Sequence, residues 1–364
     1  MKTSRQGGPE LIDNVGDVDA TWLTAVLHAS GYRDARGGSF RIKPLRAGNV
    51  GDTVRVQLAF SGPTSAPSSL VCKFRCTDAG SHGHGVNSGS YRREVGSYST
   101  MFSAAGGCRT PRLFWVDGGA ENINLVIEDL SDRTRAGDQI AGCNPEDAGS
   151  VVMELAKLHR STFPMARDAA PAWAMKMADV VDYWITATDR ALPVVRERLS
   201  GRLTDEEMAT VEGACAVARA WYLLPVVRGA LTHGDPRVDN ILFEDRPDGV
   251  QAVLIDWQMT GWRNPMHDVG YFLSGSIAVE DRRAHERTFL ADYAAMFAGS
   301  HRYALTDVEQ DYRVQLMSGL LTTTACYGLL ELTPSVDRLL ITLMRRNAAA
   351  VADWGSIAAV AALQ

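Results

Sequence analysis

The sequence predicts an α+β chain in two parts, and three features predict it. Short apolar runs bounded by turn residues dominate positions 1–130, while positions 131–364 carry long segments with apolar residues at helical spacing. Between His233 and Trp257 a single strand hairpin interrupts that helical second part.

In chain order, Asp17 or Asp19 is placed to cap an amphipathic helix over 20–30, expected to pack on the strands that follow. Positions 41–44 and 53–60 read as strands around Ala47-Gly48-Asn49-Val50-Gly51, and 69–74 as another strand with Lys73 among residues of buried type. Tyr91, Val95, Tyr98 and Phe102 recur at helical spacing, which sets Glu94 beside an inward-facing edge. Gly80-Ser81-His82-Gly83-His84-Gly85 is expected to be a flexible loop before that helix, and its two histidines lack a third metal ligand nearby. Positions 124–127 form a further strand that runs into Glu128-Asp129-Leu130.

The second part opens with Asn144-Pro145-Glu146-Asp147, a cap residue, a proline at the first helical position and acids in the first turn. Val151, Leu155 and Leu158 then continue at helical spacing. Further helical segments are expected over 180–199, 205–224, 279–297 and 308–332. No internal repeat is present.

The stretch HGDPRVDNILFEDRPDGVQAVLIDW carries the chemistry. Ile241 to Phe243 and Ala252 to Ile255 are two apolar strands, and Arg246-Pro247-Asp248-Gly249 is a turn between them. A hydroxyl attacking a terminal phosphate needs an acceptor for its proton, and Asp235 on the preceding turn suits that role. The charge on the transferred group needs magnesium, a hard cation that takes oxygen ligands, and Asn240 and Asp256 supply an amide oxygen and a carboxylate. Taken singly each residue has an equal claim to a turn or cap role; their combination with the hairpin is what points to phosphoryl transfer.

HGDPRVDNILF, the triplet Asp256-Trp257-Gln258 and the upstream EDLSDRTRAGDQIAGC together resemble the aminoglycoside phosphotransferase and choline kinase superfamily, and within it the ecdysteroid kinase-like or CHK kinase-like branch. The resemblance spans roughly 40–345. It implies a two-lobed protein-kinase-like fold, with a small mixed β-sheet nucleotide lobe over 1–130 and a larger, mainly helical substrate lobe over 131–364. It further implies that Lys73 holds the α- and β-phosphates of ATP and that Glu94 orients Lys73. By the same resemblance Gly48 and Gly51 lie along the phosphates, and Glu128 and Leu130 touch adenine through their backbones. His233 and Asp268 are implied to support the catalytic loop by hydrogen bonding. Ala156-Lys157-Leu158-His159 matches a superfamily pattern in which the histidine packs or hydrogen-bonds rather than catalyses.

The implied activity is ATP- and Mg2+-dependent transfer of the γ-phosphate to a hydroxyl of a small molecule, lipid-like, steroid-like or antibiotic. Trp173, Trp184, Trp262 and Tyr271 are candidates to line the acceptor pocket, each also suited to the core. An aminoglycoside or macrolide phosphotransferase is the nearest alternative, although residues around Asp268 are more aromatic than acidic. A pseudokinase would be marked by loss of the base, metal ligands or lysine, and all are present. A protein kinase is disfavoured because only Met259 to Pro265 separates the triplet from the approach to Asp268.

Composition agrees with this reading. A chain of 364 residues, 46% hydrophobic and 22% charged, can bury two ordinary cores. A net charge of -6 argues against nucleic acid as partner, and no cluster of lysine and arginine opposes this, Arg282-Arg283 and Arg345-Arg346 being too short. Six cysteines show no paired framework, no apolar stretch is long enough for a membrane span, and Met1 to Val15 lacks a signal-peptide core, so a cytoplasmic protein with reduced thiols is expected.

Overall fold

In a five-stranded antiparallel sheet, Gly37–Pro44, Gly51–Phe60, Ser69–Arg75, Ile123–Glu128 and Leu113–Gly118 lie side by side in that order. The computed structural model describes residues 8–45, 50–101, 107–299 and 303–363. Its chain divides into two compact units, 1–105 with 110–133 and 256–259, and 106–109 with 134–255 and 260–364. The α+β class expected from the sequence is the one observed.

The sheet belongs to the first unit. Alternation along Ser69–Arg75 buries Leu70, Cys72 and Phe74 on one face. The helix Ala20–Ala29 covers that face with Trp22, Leu23, Val26 and Leu27, and Trp22 lies 5.8 Å from the Phe74 ring. Asp19, one of the two proposed caps, accepts the Trp22 N–H at 2.7 Å and starts this helix. Register then places Lys73 between Thr53 and Leu125, on the opposite side of the strand from that core.

The glycine- and histidine-rich segment departs from its expectation: Ala79–Ser88 is a helix rather than a loop. Propensity argues against it, but both ends are secured. Asp78 accepts the Ser81 N–H at 2.8 Å, and Gly89 ends it in the left-handed region at φ 73°. Gly85 is buried against Tyr91 and Val50, where a Cβ would stand within 2.9 Å of both side chains, so the absence of a side chain is what permits the packing. The helix carrying Glu94 follows as Ser90–Thr100; Phe102 lies outside the described residues.

In the second unit, Ile241–Arg246 and Gly249–Leu254 form the expected hairpin, extended by Thr134–Ala136. Leu254 pairs with Ile241, and Ile255 donates its N–H to the Asn240 carbonyl at 3.1 Å. Pro145–Arg160 packs on the hairpin, with Asn144 accepting the Asp147 N–H at 2.9 Å as its cap. The segment expected as one helix over 205–224 is two, Asp205–Ala216 and Ala218–Tyr222, because Val217 leaves helical geometry and Trp221 turns inward to donate to the Val314 carbonyl at 3.0 Å. Likewise 308–332 divides into Leu305–Gln315 and Met317–Leu329. Met266–Ser276, Pro334–Trp354 and the short Ser356–Ala361 lie outside the expected set; Pro334–Trp354 has a Thr333 cap, a proline at its first turn and Gly355 in the left-handed region at φ 58°. All six cysteines are free, and no described helix is long and apolar enough to cross a membrane.

Candidate active site

In the first unit two of the sequence-derived residues, Glu94 and Asp256, meet around the ammonium of a third, Lys73. Lys73 Nζ lies 2.7 Å from Glu94 Oε2 and 3.1 Å from Asp256 Oδ1. Burial opposes charge on Lys73, but the carboxylates of Asp256 and Glu94 outweigh it and hold its pKa above the ordinary lysine value. Glu94 is 2% exposed and also accepts the Trp257 backbone N–H, while Arg93 Nε donates to the Gln258 carbonyl at 2.5 Å. One helix therefore holds both Lys73 and the Asp256 triplet.

Asp256 has φ 67°, the left-handed region, and is the described non-glycine residue with a positive φ. An aspartate there costs on the order of 1 kcal/mol, which the contacts of its side chain with Lys73 and Gln258 Nε2 (3.2 Å) offset. Gly51 begins its strand so close to Lys73 that a Cβ would stand 2.9 Å from the Phe74 carbonyl and 3.1 Å from Lys73 Cε. Gly48 lies outside the described residues. Glu128 and Leu130 sit at the strand end, away from this cluster: Glu128 donates its N–H to Arg112 O at 2.9 Å, and Leu130 O accepts from Arg133 N at 3.1 Å. Asp129 between them accepts Arg55 Nε and the Ser69 hydroxyl.

The second unit builds its cluster on the turn from His233 to Asn240. Arg237 N–H donates to the Asp235 carbonyl at 2.8 Å, and Asn240 N–H to the Arg237 carbonyl at 2.8 Å, a tight path that Pro236 favours. Asn240 Nδ2 donates to the Asp235 carbonyl at 2.9 Å and to its Oδ2 at 3.1 Å. With its nitrogen committed this way, the Asn240 amide presents its oxygen as the ligand atom for a cation.

Asp235 collects two further donors that sequence reasoning did not place. Arg237 Nε reaches Oδ1 at 3.0 Å and Oδ2 at 3.3 Å, and the Tyr271 hydroxyl reaches Oδ1 at 3.0 Å. Burial, with the adjacent Asp235 charge, pushes the Tyr271 phenol well above its ordinary pKa, so it remains a donor. Tyr271 stands three residues after Asp268 on one helix face, a spacing visible in the sequence, although it was singled out there only as an aromatic.

Asp268 fastens the turn to the fold. It is fully buried and accepts the N–H groups of His233 at 2.6 Å and Gly234 at 2.9 Å, with His159 Nε2 at 3.0 Å. Burial alone would raise its pKa, but the His159 hydrogen bond and the nearby His267 imidazole, 3.6 Å away, outweigh it and hold the carboxyl well below the usual range. Gly234 turns at φ 87°, which lets two successive amides face one carboxylate. His233 Nε2 bonds the Ile255 carbonyl at 2.9 Å; that oxygen only accepts, so Nε2 carries the hydrogen and Nδ1 takes the Asp235 N–H at 3.3 Å. His159 is thus a hydrogen-bonding residue beneath the turn, and its Nδ1 meets the Tyr293 hydroxyl at 2.8 Å. Gln139 Oε1 accepts the Val238 N–H at 2.7 Å from the other side, and Gly137 lies where any Cβ would overlap Val238.

Among the other aromatic candidates, Trp262 is buried and donates to Met165 O, whereas Trp184 is partly exposed beside Tyr183. No group of three or more His, Cys, Asp or Glu able to hold a metal occurs among the described residues.

The model of the ecdysteroid kinase-like family matches residues 51–304. A choline kinase, LicA from Streptococcus pneumoniae, is 12% identical with a TM-score of 0.51, over 86% of this chain and 93% of that chain. A microcompartment-associated aminopropanol kinase is 12% identical with a TM-score of 0.51, over 91% and 95% of the two chains. At such identities these likenesses speak for the fold alone. No curated protein matches the sequence. The family match covers more than half of the chain, and the protein belongs to the ecdysteroid kinase-like family.

Proposed function

We propose that this protein is an ATP- and Mg2+-dependent kinase that transfers the γ-phosphate to a hydroxyl of a small molecule. Family membership supports a small-molecule kinase in the broad sense. The observation that carries the finer reading is the Asp235 carboxylate, held on a rigid turn by Arg237, Asn240 and Tyr271. A base so held is preorganised to orient an acceptor hydroxyl and take its proton as the oxygen attacks.

Lys73, kept charged and aimed by Glu94, binds nucleotide phosphates, with Gly48, Gly51 and the backbones of Glu128 and Leu130 assigned to the rest of the nucleotide. Asn240 and Asp256 would hold Mg2+, which offsets negative charge on the phosphates. Their oxygens suit this hard cation, which fills its remaining positions with phosphate and water and so needs no third protein ligand. For the acceptor, Tyr271 and Arg237 flank Asp235 rather than a set of acids, which favours a lipid-like or steroid-like alcohol without cationic groups over a polycationic aminoglycoside.

The test is Mg2+-dependent ATP consumption against sterols, aminoglycosides, macrolides, sugars and amino alcohols. Stimulation by a polycyclic alcohol without cationic groups is expected. Stimulation by aminoglycosides alone would overturn the acceptor class, and nucleotide binding with no stimulation by any compound would favour a non-catalytic pseudokinase.

A further inference from the structure

The Arg237 guanidinium is only partly used. Its Nε is committed to Asp235, while its terminal nitrogens make no hydrogen bond among the described residues; Nη1 stands 4.0 Å from Asp239 Oδ2, at the outer limit of an ion pair. The side chain is 30% exposed, so those donors are open to a ligand. It is also rigid, since its N–H and carbonyl are both bonded within the turn and Nε is anchored on the carboxylate. Asp235 favours the charged guanidinium and burial opposes, with the balance toward charge. A planar fork with two free amino groups, fixed beside a candidate base, matches the geometry of a phosphate or carboxylate.

We propose that Arg237 is an anion-binding residue of the substrate site: Nε holds Asp235 while the terminal amino groups grip an anionic oxygen group. That group is either the phosphoryl group to be transferred or an acidic substituent of the acceptor. The proposal rests on the kinase reading above and adds a ligand contact to it.

The test compares the full chain with its Arg237→Gln and Arg237→Lys variants, titrated with ATP and with ADP in Mg2+. If the phosphoryl group is the ligand, Arg237→Gln loses about tenfold of the preference for ATP over ADP, as expected for charge-assisted hydrogen bonds, and Arg237→Lys recovers part of it. If an acidic acceptor group is the ligand, that preference is unchanged, and acetate titrated into the ATP complex binds the wild type but not Arg237→Gln. Equal weakening of ATP and ADP, or no change in nucleotide preference and acetate binding, would overturn the proposal. Should Arg237→Gln fail to fold with Asp235 left unpaired, Asp235→Asn/Arg237→Gln against Asp235→Asn reads the same two quantities without the lone charge. A wild type that binds neither nucleotide removes the kinase reading itself, a result distinct from any shift between variants.

Discussion

Lys73 and Asp235 are both charged groups held by several partners, yet the partners come from opposite ranges of the chain. Lys73 meets Glu94 across 21 residues and Asp256 across 183. Asp235 is held mainly by Arg237 and Asn240, two and five residues onward, with Tyr271 joining from 36. The first is a product of strand register and helix packing; the second is a local turn that a buried carboxylate, Asp268, attaches to its unit. Orientation of a charge can therefore be built from local turn chemistry or from long-range pairing. The two should fail differently when perturbed.

The largest effect is expected at the local turn. Asp235→Ala should lower turnover by about 10³-fold in a protein that still folds and binds ATP; substantial residual turnover would leave the turn without its assigned base. Removing the attachment tests the fold instead. Asp268→Asn should lower stability by about 3 kcal/mol in denaturant unfolding, since it strips an ionised acceptor from several buried donors.

The sign of its pH dependence follows from a depressed carboxyl. The Asp268 contribution is fully present above the ordinary unfolded value near 4 and fades as pH falls toward its lower folded value. The stability gap between wild type and Asp268→Asn should thus be level from about pH 7 to 5 and narrow below about pH 4. A gap that widens on acidification would contradict the assignment.

At the long-range cluster, Lys73→Ala should weaken ATP binding about tenfold, a charge-assisted phosphate contact being the main loss, and should lower the melting temperature because Glu94 loses its buried partner. An unchanged dependence on ATP concentration would show that another cation serves the phosphates. The smallest change is expected from Tyr271→Phe, which deletes one neutral donor to Asp235 and should reduce turnover roughly fivefold, about 1 kcal/mol, with stability nearly intact. A loss as large as that of Asp235→Ala would make Tyr271 an equal partner rather than an aid to orientation.

Local signals in the sequence located the hairpin, the Asn144 and Asp19 caps, and Asp235 with Asn240, because turns, caps and alternation depend on near neighbours. They misjudged Ala79–Ser88, where glycines that favour a loop instead allow close packing on Tyr91 and Val50. Pro334–Trp354 passed unmarked although its cap, proline and terminal glycine are all in the sequence. Arg346 from that helix donates to the carbonyls of Gln139, Ile140, Ala141 and Gly275, four acceptors that no spacing rule connects to it. Arg345-Arg346, dismissed as a basic pair too short for nucleic acid, thus includes an internal tie.

Residue types and spacing were enough to point to phosphoryl-transfer chemistry and to nominate a base, metal ligands and a lysine for it, since each role demands a particular functional group at a turn, strand or helix. What folding alone decided was how each group is loaded. The pairing of Lys73 with both Glu94 and Asp256, the left-handed backbone of Asp256, the amides gathered on Asp268 and the half-used guanidinium of Arg237 all depend on distances between segments remote in the chain. Hydrogen bonds and ion pairs act over a few ångströms, so their partners are settled by packing and register, which no single segment contains.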